Sequence, residues 1–251
     1  MAALTWEWGL MLGLGLLISA AGFYRLVYFV SLGYAFSVAA MAVATAALFR
    51  GDLDAAGELH WLLLLVYGLR LGSYLISRES SPAYRRELED TQQRAVGIGR
   101  GKQVGIWLSV ALLYVLMFSP SLVRSLWLRG VHSDGGAPVV LRALGLAVMA
   151  LGLGTEALAD WQKSRAKSAR PDRWCDVGLY RIVRCPNYLG EIVFWTGNFI
   201  LGLAVAGHWV HLVAAAIGYV CIVLIMMGST KRLENKQDER YGAHEEYVRY
   251  T

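Results

Sequence analysis

Long apolar runs separated by shorter polar stretches form the main pattern of this chain. A run of about twenty apolar residues is long enough to cross a bilayer as a helix, and a helix satisfies its own backbone hydrogen bonds in hydrocarbon. The pattern predicts an all-α, polytopic membrane protein, a bundle of about seven transmembrane helices, at roughly residues 6–23, 26–49, 59–77, 104–127, 140–159, 188–206 and 208–227. We interpret residues 1–251 as a single transmembrane domain, in which N-terminal helices (1–58) precede the helices and loops of a candidate site (59–251).

Composition supports the membrane class. The 251 residues are 56% apolar and only 17% charged, which is too apolar for an ordinary soluble domain. The net charge is +5, but the basic residues lie between apolar runs, so they indicate membrane topology and anion binding rather than nucleic-acid binding. Neither the cysteines nor the pair His208 and His211 have the spacing of a metal centre with a third ligand, so the sequence predicts no metal site.

The distribution of basic residues predicts the orientation of the bundle. Lysines and arginines are concentrated in the loops after the third and fifth predicted helices and in the C-terminal tail. The alternate loops are expected to contain only Arg50, Arg124, Arg129 and Arg142. Because positively charged loops stay in the cytoplasm and the predicted number of helices is odd, we expect the N-terminus outside and the C-terminus in the cytoplasm.

Three predicted helices carry polar residues on one face near their cytoplasmic ends. These polar stripes are Tyr67, Arg70, Tyr74 and Arg78 on the third helix; Glu156, Asp160, Lys163 and Lys167 on the fifth; and Asn187, Glu191, Trp195 and Asn198 on the sixth. For any single residue, snorkelling or a place in the interfacial aromatic belt is the favoured interpretation. Three stripes that include carboxylates favour a ligand cavity, because charged residues inside a membrane are energetically costly and usually mark a functional site.

The residue types in these stripes indicate the chemistry of a ligand. Arginines and lysines beside tyrosine and tryptophan suit an anionic nucleotide, whose phosphates need cations and whose rings need flat partners. The deeper, apolar end of the predicted cavity suits a lipid-soluble substrate. The chain contains neither a GxGxxG dinucleotide motif nor a Walker loop, so a nucleotide would be held in some other way.

At these residues the chain resembles the steroid 5α-reductase family, including its bacterial relatives and, more distantly, the sterol C14-reductases. The matching segments are YGLRL at 67–71 with Tyr74 and Arg78, EALADWQK at 156–163, GLYR at 178–181, RCPNYLGE at 184–191, and the tail from Glu234 to Tyr247. Ile182 and Cys185 depart from the family, which usually has tyrosine and histidine there. The resemblance implies a bacterial inner-membrane protein whose cofactor site faces the cytoplasm.

The resemblance further implies NADPH-dependent reduction of a carbon–carbon double bond conjugated to a ketone. The substrate would be a lipophilic steroid- or sterol-like enone in membrane lipid. Hydride addition leaves negative charge on the ketone oxygen, and Tyr67 is the catalytic candidate that would protonate it; a packed aromatic is an equally good interpretation. The implied cofactor-binding residues are Arg70, Tyr74, Arg78, Glu156, Asp160, Lys163, Arg181, Arg184, Asn187, Tyr188, Glu191, Trp195, Glu234 and Tyr247.

Two other functions are compatible with parts of this pattern. A membrane methyltransferase of the isoprenylcysteine carboxyl methyltransferase type shares the Arg-x-Pro-x-Tyr-x-Gly turn and a C-terminal helix containing Tyr-Gly, and it uses S-adenosylmethionine. Asn187, Glu191 and the segment from Glu156 to Lys163 favour the reductase. The second alternative is a non-enzymatic sterol- or lipid-binding membrane protein, which would bind no nucleotide.

Overall fold

The computed structural model describes residues 5–80, 97–131, 139–205 and 209–251, and these residues form helices and no strand. The helices are α1 (Trp6–Ser19), α2 (Leu32–Leu48), α3 (Ala55–Glu79), α4 (Arg100–Val131), α5 (Val139–Ala169), α6 (Pro186–Leu203), α7 (Trp209–Tyr241) and α8 (Glu245–Tyr250). Short 3-10 helices cover Ala20–Phe23, Leu26–Phe29 and Gly178–Arg181. His208 and much of the basic loop that follows α3 (81–96) lie outside the described residues.

Six helical segments in the described residues are long and apolar enough to cross a membrane, which confirms the class of helical membrane protein. They are Trp6–Phe23, Leu26–Leu48, Ala55–Glu79, Arg100–Gly130, Val139–Ala169 and Trp209–Tyr241. The remaining predicted span corresponds to α6, which is not among the six. Its apolar character is reduced by Asn187, Glu191 and Asn198. The total of seven spans and the orientation of the termini stay predictions.

Successive long helices alternate in direction, which brings the basic segments among the described residues to one end of the bundle. This basic end is formed by the C-terminal ends of α3, α5 and α7 and the N-terminal end of α6. There, Lys167 Nζ donates to the Tyr241 hydroxyl at 3.3 Å. There too, Arg184 Nη2 donates to Asp238 Oδ1 at 2.9 Å. The charged ends of α5, α6 and α7 are therefore held together by hydrogen bonds.

Ion pairs also join the helices at the opposite end. Asp54 caps the N-terminus of α3 by accepting from Gly57 N at 2.7 Å. The same carboxylate accepts from Arg124 at 2.7 Å and from Arg142 at 3.1 Å. Arg129 pairs with Glu7 at 2.9 Å. The expectation that these three arginines lie in loops is wrong, because they lie inside the ends of α4 and α5, where each has a buried or half-buried carboxylate partner.

Close packing of α5 against α6 depends on glycines. A Cβ atom at Gly152 would lie 2.3 Å from the backbone nitrogen of Phe194. A Cβ at Gly190 would lie 2.6 Å from the backbone nitrogen of Glu156. Because real Cβ atoms do not approach backbone this closely, the two helices can reach this separation only with glycine at both positions. The contact places Glu156 on α5 beside Glu191 on α6.

Candidate active site

Arg70 connects two of the three polar stripes by direct hydrogen bonds. Its Nη1 donates to Asp160 Oδ2 at 2.8 Å, and its Nη2 donates to Glu156 Oε1. The Arg70 side chain is 20% exposed, whereas Glu156 and Asp160 are buried. The polar face of α3 therefore lies against that of α5, and the arginine compensates for the burial of two carboxylates.

The third stripe adds a further buried carboxylate to the same region. Glu191 on α6 is buried and interacts electrostatically with Arg70, Glu156 and Asp160. Arg70 is the cation in hydrogen-bond contact with two of the three carboxylates, and Lys163 and Arg78 also act electrostatically on Asp160. Glu156 Oε2 is also buried without a hydrogen-bond partner among the described residues. The cluster thus has both charge and hydrogen-bonding capacity for a ligand.

A buried hydrogen-bond network surrounds the hydroxyl of Tyr34 on α2. Trp195 Nε1 donates to this hydroxyl at 2.6 Å. The Tyr34 hydroxyl also lies 2.8 Å from the Tyr67 hydroxyl and 2.9 Å from Glu191 Oε1. Three helices therefore meet at one phenol oxygen, and a continuous chain of hydrogen bonds links Tyr67 to Glu191.

The close approach of α2 and α3 explains why the two phenols meet. A Cβ at Gly68 would lie 2.5 Å from the carbonyl oxygen of Ala35, so glycine permits the backbones to touch next to Tyr34 and Tyr67. The ring of Tyr67 stacks on Phe194 with centroids 4.2 Å apart, and Tyr67 has no exposed surface. A substrate can reach its hydroxyl only if neighbouring side chains move.

Aromatic and cationic groups continue the site toward the basic end. The Arg78 guanidinium lies 5.8 Å from the centroid of the Tyr74 ring. Lys163 and Tyr188 are half-buried on α5 and α6. Asn187 Oδ1 and the Tyr180 hydroxyl are buried without hydrogen-bond partners among the described residues, and burial raises the pKa of Tyr180. These groups lie closer to the basic end than Arg70 and Asp160 do.

Three of the remaining sequence candidates, Arg184, Glu234 and Tyr247, form a separate cluster. Arg184 donates to Asp238 and to the Tyr247 hydroxyl, and its Nε lies 3.7 Å from Glu234 Oε1. Burial, and next the hydrogen bond to Asp238, raise the pKa of Tyr247. The exposed Arg181 donates to the carbonyl oxygen of Asp176 at 3.1 Å. Arg184 therefore contacts residues of α7 and α8, and the cofactor-binding roles of these residues stay predictions.

Tyr34 is the residue of this site that the sequence interpretation missed. It lies in α2, where the surrounding residues are small and apolar, and its single phenol gives no repeating polar face. A second polar contact was also missed: His60 Nε2 lies 2.7 Å from Asn198 Oδ1, and Asn198 Nδ2 donates to the carbonyl oxygen of Met117 at 2.9 Å. The α6 stripe identified Asn198, but no pattern on α3 indicated His60.

The two departures from the resembling family lie in different environments. Ile182 is 79% exposed, so its side chain makes little contact with the rest of the structure. Cys185 is a free, buried thiol at the N-cap position of α6, and burial raises its pKa. Cys185 therefore occupies a position at the start of the helix that presents Asn187 and Glu191.

The fold and this group of buried charges define an all-helical membrane protein with a polar site between α2, α3, α5 and α6. A model of the family described as "Protein of unknown function (DUF1295)" matches residues 24–251, and the chain belongs to this family. The match includes α2 and hence Tyr34, whereas the sequence resemblance began near residue 59. No curated protein and no solved structure matches the chain.

Proposed function

We propose that the protein is an NADPH-dependent reductase of a carbon–carbon double bond conjugated to a ketone in a lipophilic, steroid-like substrate. The observation that carries this proposal is the position of the buried Tyr67 phenol. It is linked through Tyr34 to Glu191, near the charged cluster around Arg70. A reaction between a water-soluble cofactor and a membrane-soluble substrate requires a site in which a polar region for the cofactor borders an apolar region for the substrate.

Tyr67 has the chemistry that the proposed reaction needs. Hydride addition to the β-carbon of an enone moves negative charge to the ketone oxygen, and a hydrogen-bond donor at that oxygen lowers the barrier. A phenol can also transfer its proton there as a general acid. The rings of Phe194 and Trp195 lie against Tyr67, so its hydroxyl is in the low-dielectric surroundings where such a donor is most effective.

The residues around Arg70 fit the cofactor. When bound, NADPH would supply the hydride and be left with a positively charged nicotinamide ring. The carboxylates of Glu156 and Asp160 would complement that positive charge. Glu156 Oε2 and Asn187 Oδ1, both buried without partners among the described residues, would accept hydrogen bonds from the amide and ribose. Arg78, Lys163 and Arg181 would hold phosphates at the basic end.

The resemblance to the steroid 5α-reductase family supports the proposal, because its segments supply the charged cluster. Arg70 belongs to the YGLRL segment, Glu156 and Asp160 to EALADWQK, and Glu191 to RCPNYLGE. The negative charge of the cluster would also suit the sulfonium of S-adenosylmethionine, so the methyltransferase alternative has to be tested against the same residues.

Thermal unfolding of the detergent-purified protein with each ligand tests the proposal. A ligand that binds only the folded state stabilises it, by about 2.7 kcal/mol at one hundred times its Kd. We expect NADPH to raise the melting temperature and S-adenosylmethionine to leave it unchanged. Asn187→Ala and Glu191→Gln should each reduce the NADPH effect. Stabilisation by S-adenosylmethionine alone would support the methyltransferase, and stabilisation by neither would contradict both enzymes.

A further inference from the structure

The hydroxyl of Tyr34 has three hydrogen-bond partners, and only one of them has a fixed role. The indole nitrogen of Trp195 can only donate, so it occupies one lone pair of the Tyr34 oxygen. The oxygen is left with one lone pair and one proton for the Tyr67 hydroxyl and the Glu191 carboxyl group. One of these two partners must donate to Tyr34 and the other must accept from it.

The direction of this hydrogen-bond chain depends on whether Glu191 carries a proton. An ionised Glu191 can only accept, so Tyr34 donates to it and Tyr67 donates to Tyr34. The proton of Tyr67 then points away from any substrate. A protonated Glu191 can donate to Tyr34, which then donates to Tyr67. In that arrangement the Tyr67 proton is free to bond to another acceptor.

We propose that Tyr34 is a positioning residue that passes a proton from Glu191 to Tyr67, so that protonation of Glu191 prepares Tyr67 to donate to the substrate. The inference rests on the proposed reductase function. It adds to that function a residue, Tyr34, and a proton source, Glu191. It also gives the α2 helix a part in the reaction.

The proton balance of this relay is complete. One O–H bond breaks at Tyr67 as one forms on the ketone oxygen of the substrate. Tyr34 then loses its proton to the Tyr67 oxygen and gains one from the Glu191 carboxyl group. Glu191 recovers a proton from water. The enol so formed returns to the ketone by moving its proton to the α-carbon, and each turnover consumes one hydride and one proton.

Exposure along the chain fits proton entry from the basic end. Tyr67 is fully buried, Tyr34 and Glu191 are each 6% exposed, and the Arg70 side chain beside Glu191 is 20% exposed. Arg70 is therefore the most exposed of these four groups. Among the described residues, the titratable and charged groups that face Glu191 are Tyr34 from α2, Tyr67 and Arg70 from α3, Glu156 and Asp160 from α5, and Tyr188 from α6 itself.

Infrared spectroscopy of the ligand-free protein tests the relay without any turnover. The carbonyl band of protonated Glu191 is identified at acidic pH by its loss in Glu191→Gln. In Tyr34→Phe the band should move to higher frequency, because the carboxyl group has lost its hydrogen bond with Tyr34 and retains only its interaction with Tyr67. Tyr114→Phe is the matched control: Tyr114 is buried with its ring 5.5 Å from that of Tyr34, but its hydroxyl donates to the carbonyl oxygen of Phe29. In this control the band should not move.

Kinetics with a reducible enone provide the second measurement. Tyr34→Phe should lower kcat by about 10- to 100-fold, because a proton-transfer step is slowed, and should leave KM for NADPH unchanged. The solvent deuterium isotope effect on kcat should increase in this variant. Tyr114→Phe should retain wild-type kcat and isotope effect. A purely structural role for Tyr34 would change stability in Tyr34→Phe without changing the isotope effect.

The two measurements separate failure of the relay from failure of the reductase. An unshifted carboxyl band in Tyr34→Phe, or a wild-type kcat and isotope effect in that variant, would overturn the relay. If the wild type binds NADPH but reduces none of the enones, the proposed reaction is wrong. The infrared shift would then still show whether Tyr34 and Glu191 share a proton.

Discussion

Arg70 determines the charge balance of the buried cluster. It is the guanidinium that contacts both Glu156 and Asp160, and both carboxylates are buried. Removing one member of a buried ion pair leaves the other charged group uncompensated, which costs more than the pair contributes.

We therefore predict that Arg70→Met is strongly destabilising. Loss of about 3 kcal/mol is expected, near the low end for a buried pair because Arg70 is 20% exposed. The melting temperature in detergent measures the effect. Combining Arg70→Met with Glu156→Gln and Asp160→Asn should restore most of it, since the two carboxylates that Arg70 contacts are then neutral. Wild-type stability of the single variant would contradict this account of the cluster.

Tyr67→Phe should separate catalysis from binding. The phenylalanine ring keeps the stacking on Phe194, so folding and NADPH binding should be retained. Turnover of an enone should fall by about 100-fold or more, because the proton donor is gone. Tyr219→Phe is the control, since Tyr219 also hydrogen bonds and stacks, with Thr196 and Phe199, outside the proposed site. Equal turnover in wild type and Tyr67→Phe would remove Tyr67 from the mechanism.

At the residue scale, the sequence predicted those site residues that repeat along one face of a helix. Arg70, Glu156, Asp160 and Glu191 were found because charges repeat on helical faces within apolar runs, and the structure brings them together. Tyr34 could not be found in this way. Its three partners lie 33, 157 and 161 residues away in the chain, and only the packing of helices decides which distant groups meet it.

At the scale of elements, the α5–α6 contact places the carboxylates on either side of the site. The glycines at its centre have no side chain to separate the backbones, and the contact keeps Glu156 close to Glu191. Helices packed this closely are held by van der Waals contacts between backbones and small residues, which is typical of membrane bundles.

Replacing a glycine in this contact should therefore disrupt the site. Gly152→Ala would place a Cβ 2.3 Å from the backbone of Phe194, so we expect a lower melting temperature and weaker NADPH binding. Gly154→Ala on the same helix is the matched control, because its Cβ would meet nothing within 4 Å. Gly154→Ala should be neutral or slightly stabilising, since alanine favours helix. Similar behaviour of the two variants would contradict the close contact.

Two of the long helices extend beyond the apolar runs that predict them. The fifth apolar run ends near residue 159, but the helix is predicted to continue through Lys167, and α5 ends at Ala169; the seventh apolar run ends near residue 227, whereas α7 continues to Tyr241. Hydropathy detects only the apolar part of a helix, which lies in the membrane. The same helix can continue into water, where its residues are polar, as Lys163, Lys167 and Asp238 are. The extensions carry the groups that join α5 and α7 at the basic end.

At the scale of the whole molecule, the distribution of charge predicts that the basic end faces the cytoplasm. Labelling of single cysteines tests this prediction in a variant with Cys175, Cys185 and Cys221 replaced by alanine. Ser168→Cys at the exposed basic end should react with a membrane-impermeant thiol reagent only in inside-out vesicles. Arg50→Cys, exposed at the opposite end, should react in intact cells. The reverse result would invert the topology.

The central claim is that the site around Arg70 and Tyr67 transfers a hydride to an enone. The most direct measurement uses NADPH with deuterium at the transferable nicotinamide position and mass spectrometry of the product from a lipophilic 3-oxo-Δ4 steroid. We expect one deuterium on the β-carbon of the saturated ketone with the wild type and little product with Tyr67→Phe. A saturated product without deuterium, or no product from a protein that binds NADPH, would contradict the central claim.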